Sequence, residues 1–136
     1  MNKISKGVAI TFGSIAALLI IALSSYIIYC WATYIDKTIT EGAAYGFNIG
    51  ETKLESFKKA QGIYQDKDVF ILHPLDKNNF GPHQKIAFHN EDYALIEGRD
   101  KWTFYFDEGF FNSLKLTFES EKLTRIHRHR KNFELP

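Results

Sequence analysis

Two histidines near the end of the chain have the residue type and spacing of metal ligands. His127 and His129 stand two positions apart in a run that predicts a β-strand, so both side chains point to the same face. Three arginines argue against a metal ion because they lie beside these histidines: Arg125, Arg128 and Arg130. No acid lies within five residues on the N-terminal side or four on the C-terminal side. We therefore expect no metal site here.

Other reactive side chains are scattered along the chain. The remaining histidines, His73, His83 and His89, fall in predicted loops and strand ends, and the acids are mostly associated with turns. No two carboxyl groups share the apolar surroundings that raise a carboxyl pKa for acid–base catalysis. The single cysteine, Cys30, lies in an apolar run, and no glycine-rich phosphate loop is present. We expect a protein without enzymatic activity or a cofactor, and without bound nucleic acid.

The basic residues at the end of the chain form its most distinctive charged segment. Residues 36–121 contain ten Lys/Arg and fifteen Asp/Glu, whereas residues 122–131 contain five basic residues and no acid. Because arginine can grip a carboxylate through two parallel hydrogen bonds, we expect a protein partner with an acidic surface. The candidate partner-binding residues are Arg125, Arg128, Arg130, Lys131 and, in a predicted exposed loop, Phe80. The alternative is an edge strand whose charges prevent aggregation.

A long apolar segment must position these residues relative to a membrane. Residues 7–35 contain no charged residue, and a helix of this length reaches roughly 43 Å, more than the ~30 Å hydrocarbon layer. Aromatic residues typical of a membrane–water interface gather at its far end: Tyr26, Tyr29, Trp31 and Tyr34. We therefore expect a transmembrane anchor that ties the chain to the lipid bilayer.

The charges around the anchor predict its orientation. Lys3 and Lys6 precede it without an acid, and a neutral to acidic flank follows it. The positive-inside rule then places residues 1–6 in the cytoplasm and the C-terminal domain in the periplasm of a single-pass inner (plasma) membrane protein. A cleaved signal peptide and a prepilin-type leader are the alternatives to this signal anchor.

The exported part is expected to be one small α+β domain, residues 51–136, reached through a tether, residues 36–50. The alternative for part of this tether is an edge strand that docks through Tyr45, Phe47 and Ile49. Its short helix begins with a capping box of Thr52 and Glu55 and is expected to end at Gly62. The pattern turns three residues toward an antiparallel β-sheet, Leu54, Phe57 and Ala60, and leaves Lys53 on the opposite face.

Strand predictions follow from apolar runs and from alternation of apolar and polar residues. Residues 69–72 form a short apolar run, residues 75–84 are expected to be a loop, and residues 85–89 and 93–96 are moderate strand candidates. Clear alternation covers 102–106, 114–118 and 123–129, where the spacing of Leu123 and Ile126 indicates a bulge or a twisted edge.

Parts of this pattern resemble the SmpA/OmlA (BamE-like) family of small bacterial envelope proteins. The resemblance covers about 50 of the 136 residues and lies in Gly50-Glu51-Thr52-Lys53-Leu54-Glu55-Ser56-Phe57, Trp102-Thr103-Phe104-Tyr105-Phe106, Leu114-Lys115-Leu116-Thr117-Phe118 and Lys122-Leu123. It implies a small helix-on-sheet adaptor. The first hypothesis is therefore a membrane-anchored, non-enzymatic periplasmic adaptor or protein-binding module of the cell envelope. The alternative is a membrane-anchored immunity protein that neutralises a toxin in the periplasm.

Overall fold

The computed structural model describes residues 3–74, 83–106 and 111–131. Its first element is a helix of 30 residues, α1 (Lys3–Ala32). The stretch Thr11–Ala32 has a mean hydropathy of 2.1 and is not buried against the rest of the protein. Its 22 residues reach about 33 Å, which matches the hydrocarbon layer. The predicted long apolar helix is confirmed, and it is compatible with insertion as a single membrane anchor.

The rest of the described chain is built around a six-stranded antiparallel sheet, which confirms the α+β prediction. The strands are β1 (Ile35–Ile39), β2 (Ala43–Ala44), β3 (Phe47–Asn48), β4 (Phe70–Pro74), β5 (His83–Ile86), β6 (Lys101–Tyr105), β7 (Asn112–Glu119) and β8 (Lys122–Arg130). Their order in the main sheet is β1-β8-β7-β6-β4-β5, while β2 and β3 form a separate hairpin.

Residues 36–50 differ from the predicted tether because they contain three strands. β1 pairs with β8 along all five of its residues, and Phe47 of β3 is fully buried and stacks on Phe104 at 5.7 Å between ring centroids. Gly46 has a φ of +90° in the turn between β2 and β3, and a Cβ there would lie 2.5 Å from the Ile63 side chain. The chain therefore turns tightly at Gly46, and this turn brings Phe47 into the core.

The helix that covers the sheet, α2 (Lys53–Tyr64), begins with the predicted capping box of Thr52 and Glu55. It continues through Gly62, because Tyr64 on its last turn is buried and packs against Phe104 at 5.6 Å. Phe57 and Ala60 face the core as predicted.

The predicted orientations of Leu54 and Lys53 on α2 are wrong. Leu54 is 45% exposed, and Lys53 is buried with 2% of its surface exposed. Lys53 turns inward because carboxylates beside it accept its ammonium hydrogen bonds.

The core between α2 and the sheet is dominated by aromatic side chains. Trp102 and Phe118 lie 4.6 Å apart between ring centroids, and Phe88 stacks on Phe104 at 5.5 Å. Such rings bury large apolar areas in a small domain, which allows this domain to fold without disulfides. The only cysteine, Cys30, lies in α1.

The C-terminal strands follow the predicted pattern closely. Ser120 and Glu121 join β7 and β8 with φ values of 49° and 65°, the left-handed geometry of a tight hairpin turn. The register between β7 and β8 shifts between Thr117 and Phe118, which confirms the predicted bulge. Because of this shift, Leu123 and Ile126 both face the core.

Residues 93–96 form a short helix, α3 (Tyr93–Ile96), rather than the predicted strand. A 3₁₀ turn, Asn90–Asp92, leads into it. The indole of Trp102 donates a hydrogen bond to the Ile96 carbonyl at 3.0 Å and holds this helix against the core. Phe80 and residues 75–82 of the predicted loop lie outside the described residues.

Candidate functional site on the outer face of the sheet

Alternation along the strands gives the main sheet two faces. The inner face carries Trp102, Phe104 and Leu116 and packs against α2. We call the opposite face the outer face. Among the described residues, no helix or strand covers it.

The strand that carries the basic segment lies inside the sheet. β8 pairs with β1 on one side and β7 on the other. The interpretation of this segment as a charged edge strand is therefore wrong.

Three side chains with ligand atoms come together on the outer face near α1. The register pairs Asp36 of β1 with His129 of β8, and His127 lies two residues before His129 on the same face. The His127 Nε2 and Asp36 Oδ1 atoms are 3.3 Å apart. The two imidazole rings lie nearly parallel, with 6.5 Å between their centroids. All three side chains offer ligand atoms within 4.8 Å of one another. We call these residues the Asp36–His127–His129 cluster.

Two neighbouring hydroxyls hold this cluster in place. Thr38 Oγ1 lies 2.9 Å from His127 Nδ1, and the Tyr34 hydroxyl donates to Asp36 Oδ2 at 3.0 Å. The Tyr34 ring also meets the edge of His129 at 6.1 Å. These contacts use the Nδ1 atom of His127 and one carboxylate oxygen of Asp36, so the Nε2 atom and the other oxygen face each other.

The predicted basic patch is divided between the two faces of the sheet. Arg125 is exposed on the outer face, whereas Arg128 and Arg130 follow Ile126 on the inner side. Arg128 donates to the Ser113 carbonyl at 2.9 Å and to Asn112 Oδ1, and its guanidinium lies 4.8 Å from the Phe106 ring centroid. Arg128 therefore ties the end of β8 to the core rather than presenting its charge to a partner.

Lys131, another member of the predicted partner site, lies just beyond the end of β8. The Lys131 backbone donates to the Phe111 carbonyl at the end of β8. Phe80 falls outside the described residues. Among the described members of the predicted site, Arg125 therefore lies on the opposite face of the sheet from Arg128 and Arg130.

Two lysines join Arg125 on the outer face instead. Thr117 of β7 pairs with Lys101 of β6 on one side and with Arg125 of β8 on the other, so all three side chains lie side by side on the outer face. Lys115 lies two residues before Thr117 on the same face, and it pairs with His127. All three cations are exposed. We call Lys101, Lys115 and Arg125 the outer basic row.

A buried lysine, Lys53, forms two ion pairs inside the domain. The Lys53 Nζ atom donates to Glu121 Oε1 at 2.8 Å, to Asp100 Oδ1 at 3.2 Å and to the Glu97 carbonyl at 3.0 Å. Burial disfavours the charged ammonium, but the hydrogen bonds to Glu121 and Asp100 outweigh it and raise the pKa of Lys53. Lys53 connects α2 to the turns before β6 and before β8, which is a structural role.

A cleft of about 340 Å³ lies between β4 and the segment that leads into β6. His73 lines it, and burial together with the Arg99 charge lowers the pKa of this histidine. Asp100 on the wall of the cleft is already paired with Lys53. The volume is at the lower end of small-molecule sites, so the cleft is a weaker candidate than the outer face.

The Asp36–His127–His129 cluster is not predictable from the sequence when residues 36–50 are interpreted as a tether. Only the pairing of β1 with β8 brings Asp36 close to these histidines, which lie about 90 positions further along the chain. The β-branched run from Ile35 through Thr38, Ile39 and Thr40 is the signal that could have predicted this strand.

The resemblance to the SmpA/OmlA family stays a prediction. Comparisons of this chain with protein-family models, with curated proteins and with solved structures found no match.

Proposed function

We propose that the protein is a membrane-anchored binding module without enzymatic activity, and that its outer face binds an acidic protein partner in the periplasm. One observation carries this proposal: three exposed cations, Lys101, Lys115 and Arg125, lie together on a sheet face that no described helix or strand covers. A cluster of one charge sign attracts a partner of the opposite sign and speeds its association.

The junction with the anchor supports a site of action at the membrane surface. Only Thr33 and Tyr34 lie between the end of α1 and the start of β1. Two residues span at most about 7 Å, so the sheet stays close to the headgroups when α1 is inserted. The partner is therefore a periplasmic or membrane-bound protein that reaches this surface.

The retained anchor and its orientation belong to the same proposal. Lys3 and Lys6 on one side of α1, and Tyr26, Tyr29 and Trp31 on the other, favour a cytoplasmic N-terminus. The predominantly apolar stretch Thr11–Ala32 of α1 has 22 residues, more than the 7–15 residues of the apolar part of a cleavable signal peptide, which favours an anchor that is kept.

A charge-reversal experiment tests the partner surface. We expect a photo-reactive residue at Thr103, on the outer face opposite Lys115, to cross-link an acidic envelope protein in cells. Lys115→Glu with Arg125→Glu should reduce the association rate with that partner by about tenfold or more at low salt, because attraction becomes repulsion. The measurement is association kinetics of the full-length chain in detergent over a series of salt concentrations.

The matched control is Lys58→Glu with Lys67→Glu, which makes the same charge change at two exposed positions on and after α2. This control should keep the parental association rate, and both double variants should keep the parental melting temperature. Equal loss in the control, or parental binding by the outer-face variant, would contradict the proposal. A captured toxin would assign the immunity role to this face, and a captured envelope-assembly protein would assign the adaptor role.

A further inference from the structure

We propose that the Asp36–His127–His129 cluster binds a divalent transition-metal ion, with Zn²⁺ as the best fit. Two imidazoles and one carboxylate are a donor set that favours zinc and its neighbours over Mg²⁺ or Ca²⁺, which prefer oxygen ligands. The proposed site is independent of the acidic partner, because it uses none of the three cations of the outer basic row.

The distances within the cluster suit one metal ion. Two ligands at about 2.0–2.1 Å from a tetrahedral zinc lie roughly 3.4 Å apart, and His127 Nε2 lies 3.3 Å from Asp36 Oδ1. All the ligand atoms lie within 4.8 Å of one another. A small side-chain rotation of His129, which is only half-buried on an open face, brings its ring to the same ion.

The surrounding hydroxyls orient the ligand atoms. In the tautomer with its proton on Nδ1, His127 donates to Thr38 Oγ1, and the Nε2 lone pair is then available to the metal. Tyr34 donates to Oδ2 of Asp36 and leaves Oδ1 facing His127. The rigid β1–β8 pairing fixes both backbones, so the site is largely formed before an ion arrives.

The charges nearby set the character of the site. Lys115 pairs with His127 on the outer face, and Arg125 lies two residues away on β8. These cations repel a metal ion and lower its affinity, while the Asp36 carboxylate offsets part of that repulsion. Three protein ligands leave a fourth position open to water, as in zinc sites that exchange a ligand.

Metal titration of the full-length chain in detergent, without a histidine tag, tests this inference. Zn²⁺ followed by calorimetry should bind at about one equivalent per chain and raise the melting temperature by mass action, and a chelator should reverse both effects. Co²⁺ should give the visible absorption of a four-coordinate site. Asp36→Asn, His127→Ala and His129→Ala should each abolish stoichiometric binding. Thr38→Val should weaken it roughly 10- to 100-fold, as expected for a residue that orients a ligand.

The matched control is His83→Ala, since His83 is an exposed histidine on β5 at the other edge of the sheet. This variant should keep one equivalent of Zn²⁺. The metal-free melting temperature of each variant shows whether its fold is intact. Failure of the folded parent to bind Zn²⁺, or full binding by His127→Ala or Asp36→Asn, would overturn the proposal. Loss of binding in His83→Ala would place the ion elsewhere and overturn it as well.

Discussion

At the scale of single residues, Lys53 has the least expected environment in the domain. Lysine is almost never fully buried unless it is paired, and Lys53 is 2% exposed while Asp100 and Glu121 at its ammonium keep most of their side chains exposed. The lysine side chain is therefore shielded from water, whereas the two carboxylates that accept its hydrogen bonds remain in contact with water. The ammonium satisfies carboxylates and a carbonyl that belong to two separate turns, so it holds α2, β6 and β8 in one arrangement.

We expect Lys53→Met to destabilise the domain by about 1–3 kcal/mol, because the methionine fills the space but leaves the Glu97 carbonyl without its donor. The exposed residue Lys58 on the same helix provides the control, and Lys58→Met should change stability by less than about 0.5 kcal/mol. Urea unfolding of the full-length chain in detergent measures both. Equal stability of Lys53→Met and the parent would show that the ion pairs contribute nothing.

The pH dependence of the same ion pairs has a definite sign. The folded-state pKa of Lys53 is raised above its ordinary value of 10.5. Its contribution to stability is therefore fully present below pH 10.5 and is lost as the pH rises through the raised value. The difference in unfolding free energy between the parent and Lys53→Met should shrink in strongly alkaline solution.

At the scale of elements, the segment between the anchor and α2 decides how the domain is completed. β1 extends the sheet and supplies Asp36, while the β2–β3 hairpin carries Phe47 into the core. Phe47 packs on Phe104 in the middle of the sheet. This segment is therefore part of the domain, which begins directly after α1.

We expect Phe47→Ala to destabilise the domain by about 3–5 kcal/mol, because it empties a fully buried aromatic site in a small core. Tyr45 in the same hairpin is 40% exposed, so Tyr45→Ala should cost less than about 1 kcal/mol. Thermal melting of both variants, followed through the buried Trp102, distinguishes them. Similar melting temperatures would mean that the hairpin is dispensable.

Strong local patterns were predictable from the sequence at this scale, and long-range pairing was not. The alternation around Trp102 and Phe104, the capping box at Thr52 and the bulge after Leu123 all follow from nearby residues. By contrast, Lys53 was assigned to the solvent side because its carboxylate partners lie 47 and 68 positions away. The Asp36–His127–His129 cluster was missed for the same reason, since it exists only once β1 pairs with β8.

At the scale of the whole molecule, only Thr33 and Tyr34 separate α1 from the first strand of the domain. A periplasm-specific reporter fused after Pro136 should be active, because the charges around α1 favour a cytoplasmic N-terminus. The chain should also remain in the membrane fraction at its full mass of 15.7 kDa. Reporter activity only in the cytoplasm would overturn the orientation, and a shorter soluble product would indicate a cleaved signal.

The pairing of β1 with β8 also has a consequence for how the protein is made. β1 leaves the ribosome first among the strands, but its partner residues come last, since Thr38 and His127 are 89 positions apart. At 5–20 residues per second, roughly 5–20 s pass before β8 has been synthesised. Until then the first strand has no neighbour to complete its backbone hydrogen bonds. The sheet therefore closes only when nearly the whole chain has been made, and a ribosome that stalls before β8 leaves β1, the strand that follows α1, unpaired.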